Sequence, residues 1–366
     1  MTARLGESPG AGGMAKASDV PAEAPTDVDG NRPGPFFIVG ASRSGTTLLR
    51  VTLDRHPLIA IPPESHFIPT LWRRRRRYGA GGRVQRPEAL LEDLARDRRF
   101  RDWGIPIERV RDRLTAAGPP TLEAAIELLY REYAQAKGKP VWADKTPEYV
   151  WHMELLGRLF SKASFVHLVR DGRDVALSML DLNPYMRHAA ATAPLWKRSV
   201  RSAREAGRAM VPGRYVELRY EDLILDPETT LRRLLESLSV PFDSSVLGHD
   251  ARAIEAVPEA RRSRHQRLAL PPTRGLRNWR QDMRPAEAAE FEAIAGRELV
   301  AFGYEVTAKP TMRRRAGAWK RVGGYGLRTL GPSLRSRVRW LRRSRHRRRV
   351  GRRLVVAGRQ ETGGSR

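Results

Sequence analysis

Phe36-Phe37-Ile38-Val39-Gly40-Ala41-Ser42-Arg43-Ser44-Gly45-Thr46-Thr47 runs directly into Leu48-Leu49-Arg50-Val51-Thr52-Leu53. Four apolar residues without alternation predict a strand buried on both faces, and Leu48, Leu49, Val51 and Leu53 carry helical spacing. The residues between them form a strand-to-helix turn. Such a turn aims backbone N–H groups and a helix N-terminus at one point, and Gly40 and Gly45 let a ligand approach the main chain closely. The stretch therefore predicts an anion site, for phosphate, in a three-layer P-loop-type α/β fold with a central parallel sheet.

The loop departs from the common nucleotide-binding form. Gly40 to Gly45 fits G-x-x-x-x-G, but Thr46 stands where the lysine that binds nucleoside triphosphates belongs, and Arg43 is the cation of the loop. This disfavours an enzyme that handles a γ-phosphate. Arg43-Ser44-Gly45-Thr46-Thr47-Leu48, followed by Leu53-Asp54-Arg55-His56-Pro57, resembles the sulfotransferases that use 3′-phosphoadenosine-5′-phosphosulfate (PAPS), most closely the tyrosylprotein sulfotransferases and their bacterial relatives. The resemblance implies PAPS as co-substrate, no metal, and a 5′-phosphosulfate loop made of Arg43, Ser44, Gly45, Thr46 and Thr47.

Ile59-Ala60-Ile61 predicts a second short strand that ends at Pro62-Pro63-Glu64-Ser65-His66. The prolines leave Glu64 and His66 near the carboxyl edge of the sheet, and either side chain can act as a general base. The resemblance gives that role to Glu64, 21 positions after Arg43, with His66 as the rival. Asp144-Lys145 closes another apolar stretch in what reads as a charged turn. The chain holds only eight lysines against 60 arginines, and a lysine offers a compact charge with an adjustable pKa. The resemblance makes Lys145 catalytic, acting with Arg43 on the sulfonate and the leaving oxygen.

A second strong block is Ser164-Phe165-Val166-His167-Leu168-Val169-Arg170-Asp171-Gly172-Arg173-Asp174, with Ser178 beyond it. It predicts a buried strand, a glycine turn, and a helix capped by Asp174. The resemblance assigns Arg170 and Ser178 to a 3′-phosphate, a dianion suited to an arginine fork and a hydroxyl. Tyr220, at the exit of a further strand, is read either as part of the nucleotide pocket or as a core aromatic. Thr273 to Arg280 resembles the family's late loop over the 3′-phosphate, through Arg274, Gly275 or Arg277, although the usual spacer between Arg274 and Gly275 is missing.

The rest of the chain reads as appendages. Residues 1–34 are rich in Ala, Gly, Pro and acids, and are expected to be a disordered leader before a catalytic domain at 35–307. Residues 73–140 are expected to be a helical insertion, opened by the arginine run Arg73 to Arg77, whose plain reading is a solvated face. From Arg313 to the C-terminus, 19 Lys and Arg residues face one acid, Glu361, so +18 of the net +27 lies there. Leu334, Val338 and Leu341 give this tail, 308–366, an apolar stripe among arginines. Three readings compete for it, a solvated tail, an adhesion element for anionic lipid and a nucleic-acid contact; adhesion to an anionic membrane through 313–358 suits it better than nucleic acid, because the segment offers no stacking platform.

Zero cysteines exclude disulfides, thiolate metal sites and a cysteine nucleophile. The N-terminus has no secretory-signal pattern and no run spans a membrane, so the expectation is a cytoplasmic bacterial enzyme, peripheral on the inner face of the membrane. The acceptor bears a hydroxyl; carbohydrate, glycolipid, small-metabolite and tyrosyl acceptors all fit these motifs. The alternatives are a P-loop kinase-like phosphotransferase, and a non-catalytic protein that binds anionic membrane or nucleic acid through the tail.

Overall fold

The computed structural model describes residues 33–116, 118–182, 188–248, 258–262, 278–309 and 311–323. Most of the expected leader and tail, and Arg274, Gly275 and Arg277, lie outside them. The described strands are β1 (Phe36–Gly40), β2 (Ile59–Ala60), β3 (Val141–Lys145), β4 (Ser164–Val169) and β5 (Tyr215–Arg219), in the spatial order β2-β3-β1-β4-β5. Every pairing is parallel. This is the P-loop-type α/β sheet that the opening stretch predicts.

Alternate residues of β1 feed two separate cores. Phe37 and Val39 face one that includes Trp142, Phe160 and Phe165. Phe36 and Ile38 face the other, with Leu49 and Leu53 of α1 (Thr46–Leu53) and Leu231, Leu234 and Leu235 of α11 (Pro227–Ser237). Phe36 to Val39 are fully buried, each side chain contributing roughly 1.5–3 kcal/mol. Burial on both faces is why the run shows no alternation.

Between β2 and β3 lie α2 (Ile68–Tyr78), α3 (Pro87–Arg96), α4 (Arg98–Arg101), α5 (Ile107–Thr115) and α6 (Leu122–Ala136). The arginine run sits on α2 and is more than a solvated face, since Arg74 and Arg77 both bond Asp93 Oδ1, at 2.9 and 3.0 Å. Asp93 is buried, accepting also from Tyr78 OH at 2.8 Å, so two of the arginines neutralise a carboxylate that holds α2 to α3.

After β3 come α7 (Met153–Leu159), α8 (Gly172–Leu180) behind β4, α9 (Ala193–Arg208), and α10 (Tyr220–Leu225) behind β5. Beyond α11 the chain forms α12 (Glu259–Arg262), α13 (Trp279–Asp282), α14 (Pro285–Ala301) and α15 (312–323). A third core joins α8, α9 and α14 through Val175, Trp196, Phe291 and Ile294. Among the described residues no helix is long and apolar enough to cross a membrane.

Register decides what meets at the carboxyl edge. Ile38 lies opposite Lys145, Gly40 opposite Leu168, and Val169 opposite Arg219. The loop after β1, the end of β3, Arg170 and Tyr220 therefore emerge side by side, at the edge where open α/β sheets bind ligands.

Candidate active site

The loop between β1 and α1 is built on two left-handed residues, Arg43 at φ 74 and Gly45 at φ 94. Gly45 precedes the first turn of α1, which no side chain caps. A Cβ there would lie 2.3 Å from Tyr220 Cδ2, so the position accepts only glycine and the Tyr220 ring lies directly on the loop. The same ring carries the Arg170 guanidinium 4.4 Å from its centroid. Arg43 Nε donates to Ser178 Oγ at 3.1 Å, which ties the loop to α8.

Two polar atoms here are buried without a hydrogen-bond partner, Ser44 Oγ and Arg170 Nε. Leaving such atoms unpaired costs about 1–3 kcal/mol each, a deficit that a bound anion removes. These orphaned donors, the uncapped helix and the glycine cradle fit the phosphates of a nucleotide. Thr46 is buried at the helix start.

A second cluster adjoins the loop. Lys145 Nζ, nearly buried, lies 2.6 Å from Glu64 Oε1 and donates to Thr47 Oγ1 at 3.2 Å. Burial pulls the Lys145 pKa down, and the Glu64 charge opposes that pull. His66 Nε2 is 3.2 Å from Glu64 Oε2 and 3.7 Å from Glu148 Oε2. Ser42 Oγ in turn donates to Glu148 Oε1 at 3.2 Å. Arg99 Nη1 approaches Glu64 Oε2 at 3.9 Å.

Lys145 and Asp144 belong to the end of β3 rather than to a charged turn, so their side chains diverge. Asp144 points into the core, where its Oδ2 accepts from Tyr130 OH at 2.8 Å and burial pushes its pKa up to about 6. Ser65 is held from the same side, its N–H on Thr146 Oγ1 at 3.1 Å and its Oγ 2.6 Å from Tyr149 OH. Trp103 Nε1 bonds Pro63 O at 2.8 Å. The backbone that carries Glu64 and His66 is thereby pinned on both sides of Glu64.

The N-terminus of α8 corrects one expectation. Asp171, not Asp174, caps the helix, accepting from Arg173 N at 2.9 Å. Two acids three residues apart gave the sequence no means of choosing. Asp174 sits inside the first turn and accepts from Trp279 N at 2.8 Å, and burial pushes its pKa up to about 7 against the pull of Arg170. Fully buried Arg173 bonds Asp171 Oδ2 at 2.7 Å and Glu292 Oε1 at 2.5 Å, and lies 3.6 Å from the centroid of the Trp279 ring. This network ties α14 to the base of the site.

Arg43, Ser44, Gly45, Thr46, Thr47, Glu64, His66, Lys145, Arg170, Ser178 and Tyr220 thus share one edge of the sheet. Sequence reasoning missed Glu148, Asp171 and the Ser65, Tyr149 and Asp144 support, whose signal is only tertiary. A cavity of about 130 Å³ opens beside the loop, lined by Ala41, Ser42, Glu148, Trp151, Met179 and Leu195 among others. Among the described residues no group of three or more acids and histidines is arranged to hold a metal ion.

The sequence profile described as the sulfotransferase family matches residues 35–244. Protein-tyrosine sulfotransferase 1 of Danio rerio is 26% identical over 294 residues, which cover 75% of this chain and 73% of that protein. Protein-tyrosine sulfotransferase 1 of Homo sapiens is 26% identical over 290 residues, covering 75% and 70%. Among solved structures, the sulfotransferase domain of the Synechococcus PCC 7002 olefin synthase is 26% identical with a TM-score of 0.50, covering 75% of this chain and 96% of that domain.

Proposed function

The chain belongs to the sulfotransferase family, and on that premise we propose that it moves a sulfonate group from PAPS to an acceptor hydroxyl and releases adenosine 3′,5′-bisphosphate. The observation that carries this reading is the bond from Arg43 Nε to Ser178 Oγ, which joins the loop suited to a 5′-phosphosulfate with the helix suited to a 3′-phosphate.

PAPS, when bound, supplies an activated sulfonate and a phosphate leaving group. Arg43, Ser44, Thr46, Thr47 and the N-terminus of α1 hold its 5′ end, and Arg170 and Ser178 hold its 3′-phosphate, while the Tyr220 ring walls the nucleotide. Glu64 removes the proton of the acceptor hydroxyl. Its pairing with Lys145 favours the ionised carboxylate that a base requires. Lys145 and Arg43 present positive charge where charge grows on the departing oxygen, and the low exposure of Lys145 strengthens that effect.

The acceptor class we assign is a carbohydrate, glycolipid, small metabolite or tyrosyl hydroxyl. We place the enzyme in the cytoplasm of a bacterium, held at the inner membrane face through 313–358. Exposed Met312 and Trp319, set among Arg313, Arg314, Arg315 and Lys320, support a lipid surface over nucleic acid.

The test is transfer from radiolabelled PAPS to a panel of 4-nitrophenol, N-acetyltyrosinamide and alkyl glucosides. Glu64→Gln is expected to abolish turnover and to leave nucleotide affinity within about threefold of the parent. Retained turnover would move the base to His66.

A further inference from the structure

None of the side chains lining the cavity beside the anion loop belongs to the set that grips the nucleotide. Its apolar walls are Val175 and Met179 of α8, Leu195 and Trp196 of α9, and Trp151 of the turn Pro147–Trp151. Trp196 is 1% exposed and spends its ring N–H on Arg170 O at 3.1 Å, which fixes that wall. Leu195 is 47% exposed and so stands at the mouth. Polar groups meet at one end, where Ser42 Oγ donates to Glu148 Oε1 at 3.2 Å. Glu148 Oε2 is 3.7 Å from His66 Nε2, whose N–H faces Glu64 Oε2 at 3.2 Å, so this end adjoins the Glu64 cluster.

We infer that this cavity seats the acceptor and admits one aromatic ring that carries the hydroxyl, with Leu195 at its mouth setting the size limit. The inference rests on the proposed sulfonate transfer and narrows its acceptor class. A cavity of about 150 Å³ walled by apolar side chains holds one benzene ring. At about 130 Å³ this one has room for a single ring but not for two fused rings or an acyl chain. A sugar ring carries hydroxyls around its whole rim, and Val175, Met179 and Leu195 have no group to meet them, so it would enter with polar groups unpaired. Trp151 and Trp196 offer aromatic surface to an aromatic guest instead. A ring seated there turns its hydroxyl to the polar end at Ser42, next to Arg43. That oxygen bonds to sulfur as the bond from sulfur to the 5′-phosphate oxygen breaks, and its proton leaves to the base, as in the proposed reaction. A free phenol and a tyrosyl side chain share this chemistry; glycolipid and carbohydrate do not.

The test changes the size of the pocket in the full chain through Leu195, whose exposure lets both variants keep the fold. With radiolabelled PAPS, Leu195→Trp is expected to raise the KM for 4-nitrophenol about tenfold or more, and Leu195→Ala to raise kcat/KM for 2-naphthol relative to 4-nitrophenol by a similar factor. Affinity for adenosine 3′,5′-bisphosphate is expected to stay within about twofold of the parent in both, because Leu195 touches no nucleotide group. Comparing 4-nitrophenol with N-acetyltyrosinamide tells a free phenol from a tyrosyl side chain, and faster turnover of either than of the alkyl glucosides supports the pocket. An unchanged KM in Leu195→Trp together with no gain for 2-naphthol in Leu195→Ala would overturn it, as would a parent enzyme that prefers the glucosides. Failure of the sulfonate-transfer reading is a separate outcome, read as no binding of adenosine 3′,5′-bisphosphate by calorimetry. The pocket is then read from calorimetry of 4-nitrophenol alone, where binding that Leu195→Trp weakens supports it and no binding overturns it.

Discussion

Arg43 Nε and Ser178 Oγ, 135 positions apart in sequence, meet at 3.1 Å. The contact closes a cleft whose floor is the carboxyl edge of β1 and β4 and whose far wall is Tyr220, itself stacked under Arg170. Two separate motifs become one binding surface because parallel pairing of β1 with β4 aligns the turns that leave them.

Gly45→Ala should disable the loop. The new methyl would meet Tyr220 at 2.3 Å on a backbone at φ 94, and neither can relax without moving Arg170. We expect a loss of about 1–3 kcal/mol in stability and at least a tenfold loss in affinity for adenosine 3′,5′-bisphosphate, read by thermal melting and calorimetry.

Lys145→Arg should not preserve activity. Lys145 is a compact ammonium within reach of Thr47 Oγ1 and Glu64 Oε1 at the bottom of the cleft, and a planar guanidinium cannot fit the same point. Steady-state assays should show kcat reduced by about 100-fold or more.

Asp174→Asn should raise stability above neutral pH. The folded pKa of about 7 exceeds the ordinary 3.8, so the native state holds more protons than the unfolded chain between these values, and stability falls as pH rises from about 4 to 7. Asparagine still accepts from Trp279 N but has no proton to lose. Melts should show the variant gaining about 1–3 kcal/mol at pH 8 and nothing near pH 4.

Arg173→Met should destabilise by about 3–5 kcal/mol, because Asp171 and Glu292 would be left as buried charges. Adding Glu292→Gln, which removes the stranded charge and keeps an acceptor for Thr307 N and Ala308 N, should recover part of this loss. Denaturant titration of both variants reads the difference.

How far the sequence discloses this site depends on distance. Phe36 to Val39 and Ser164 to Val169 announce buried strands because both faces are covered, and the turns after them expose Arg43 and Arg170 to inspection. Glu64 and Lys145 were legible through short motifs. Glu148 was not, since its meaning comes from His66 and Ser42 arriving from elsewhere in the chain. The choice of Asp171 over Asp174 as cap rests on backbone angles that composition does not encode, and the pairing of Arg74 and Arg77 with Asp93 needed α3 to fold back against α2.

The most direct measurement is calorimetry of adenosine 3′,5′-bisphosphate against ADP on the full chain, with and without magnesium. A cleft that grips both the 5′ end and a 3′-phosphate binds the bisphosphate at least 100-fold more tightly than ADP, without magnesium, and Arg170→Ala removes most of that preference. Equal affinities, or binding of ADP that needs magnesium, would contradict the account.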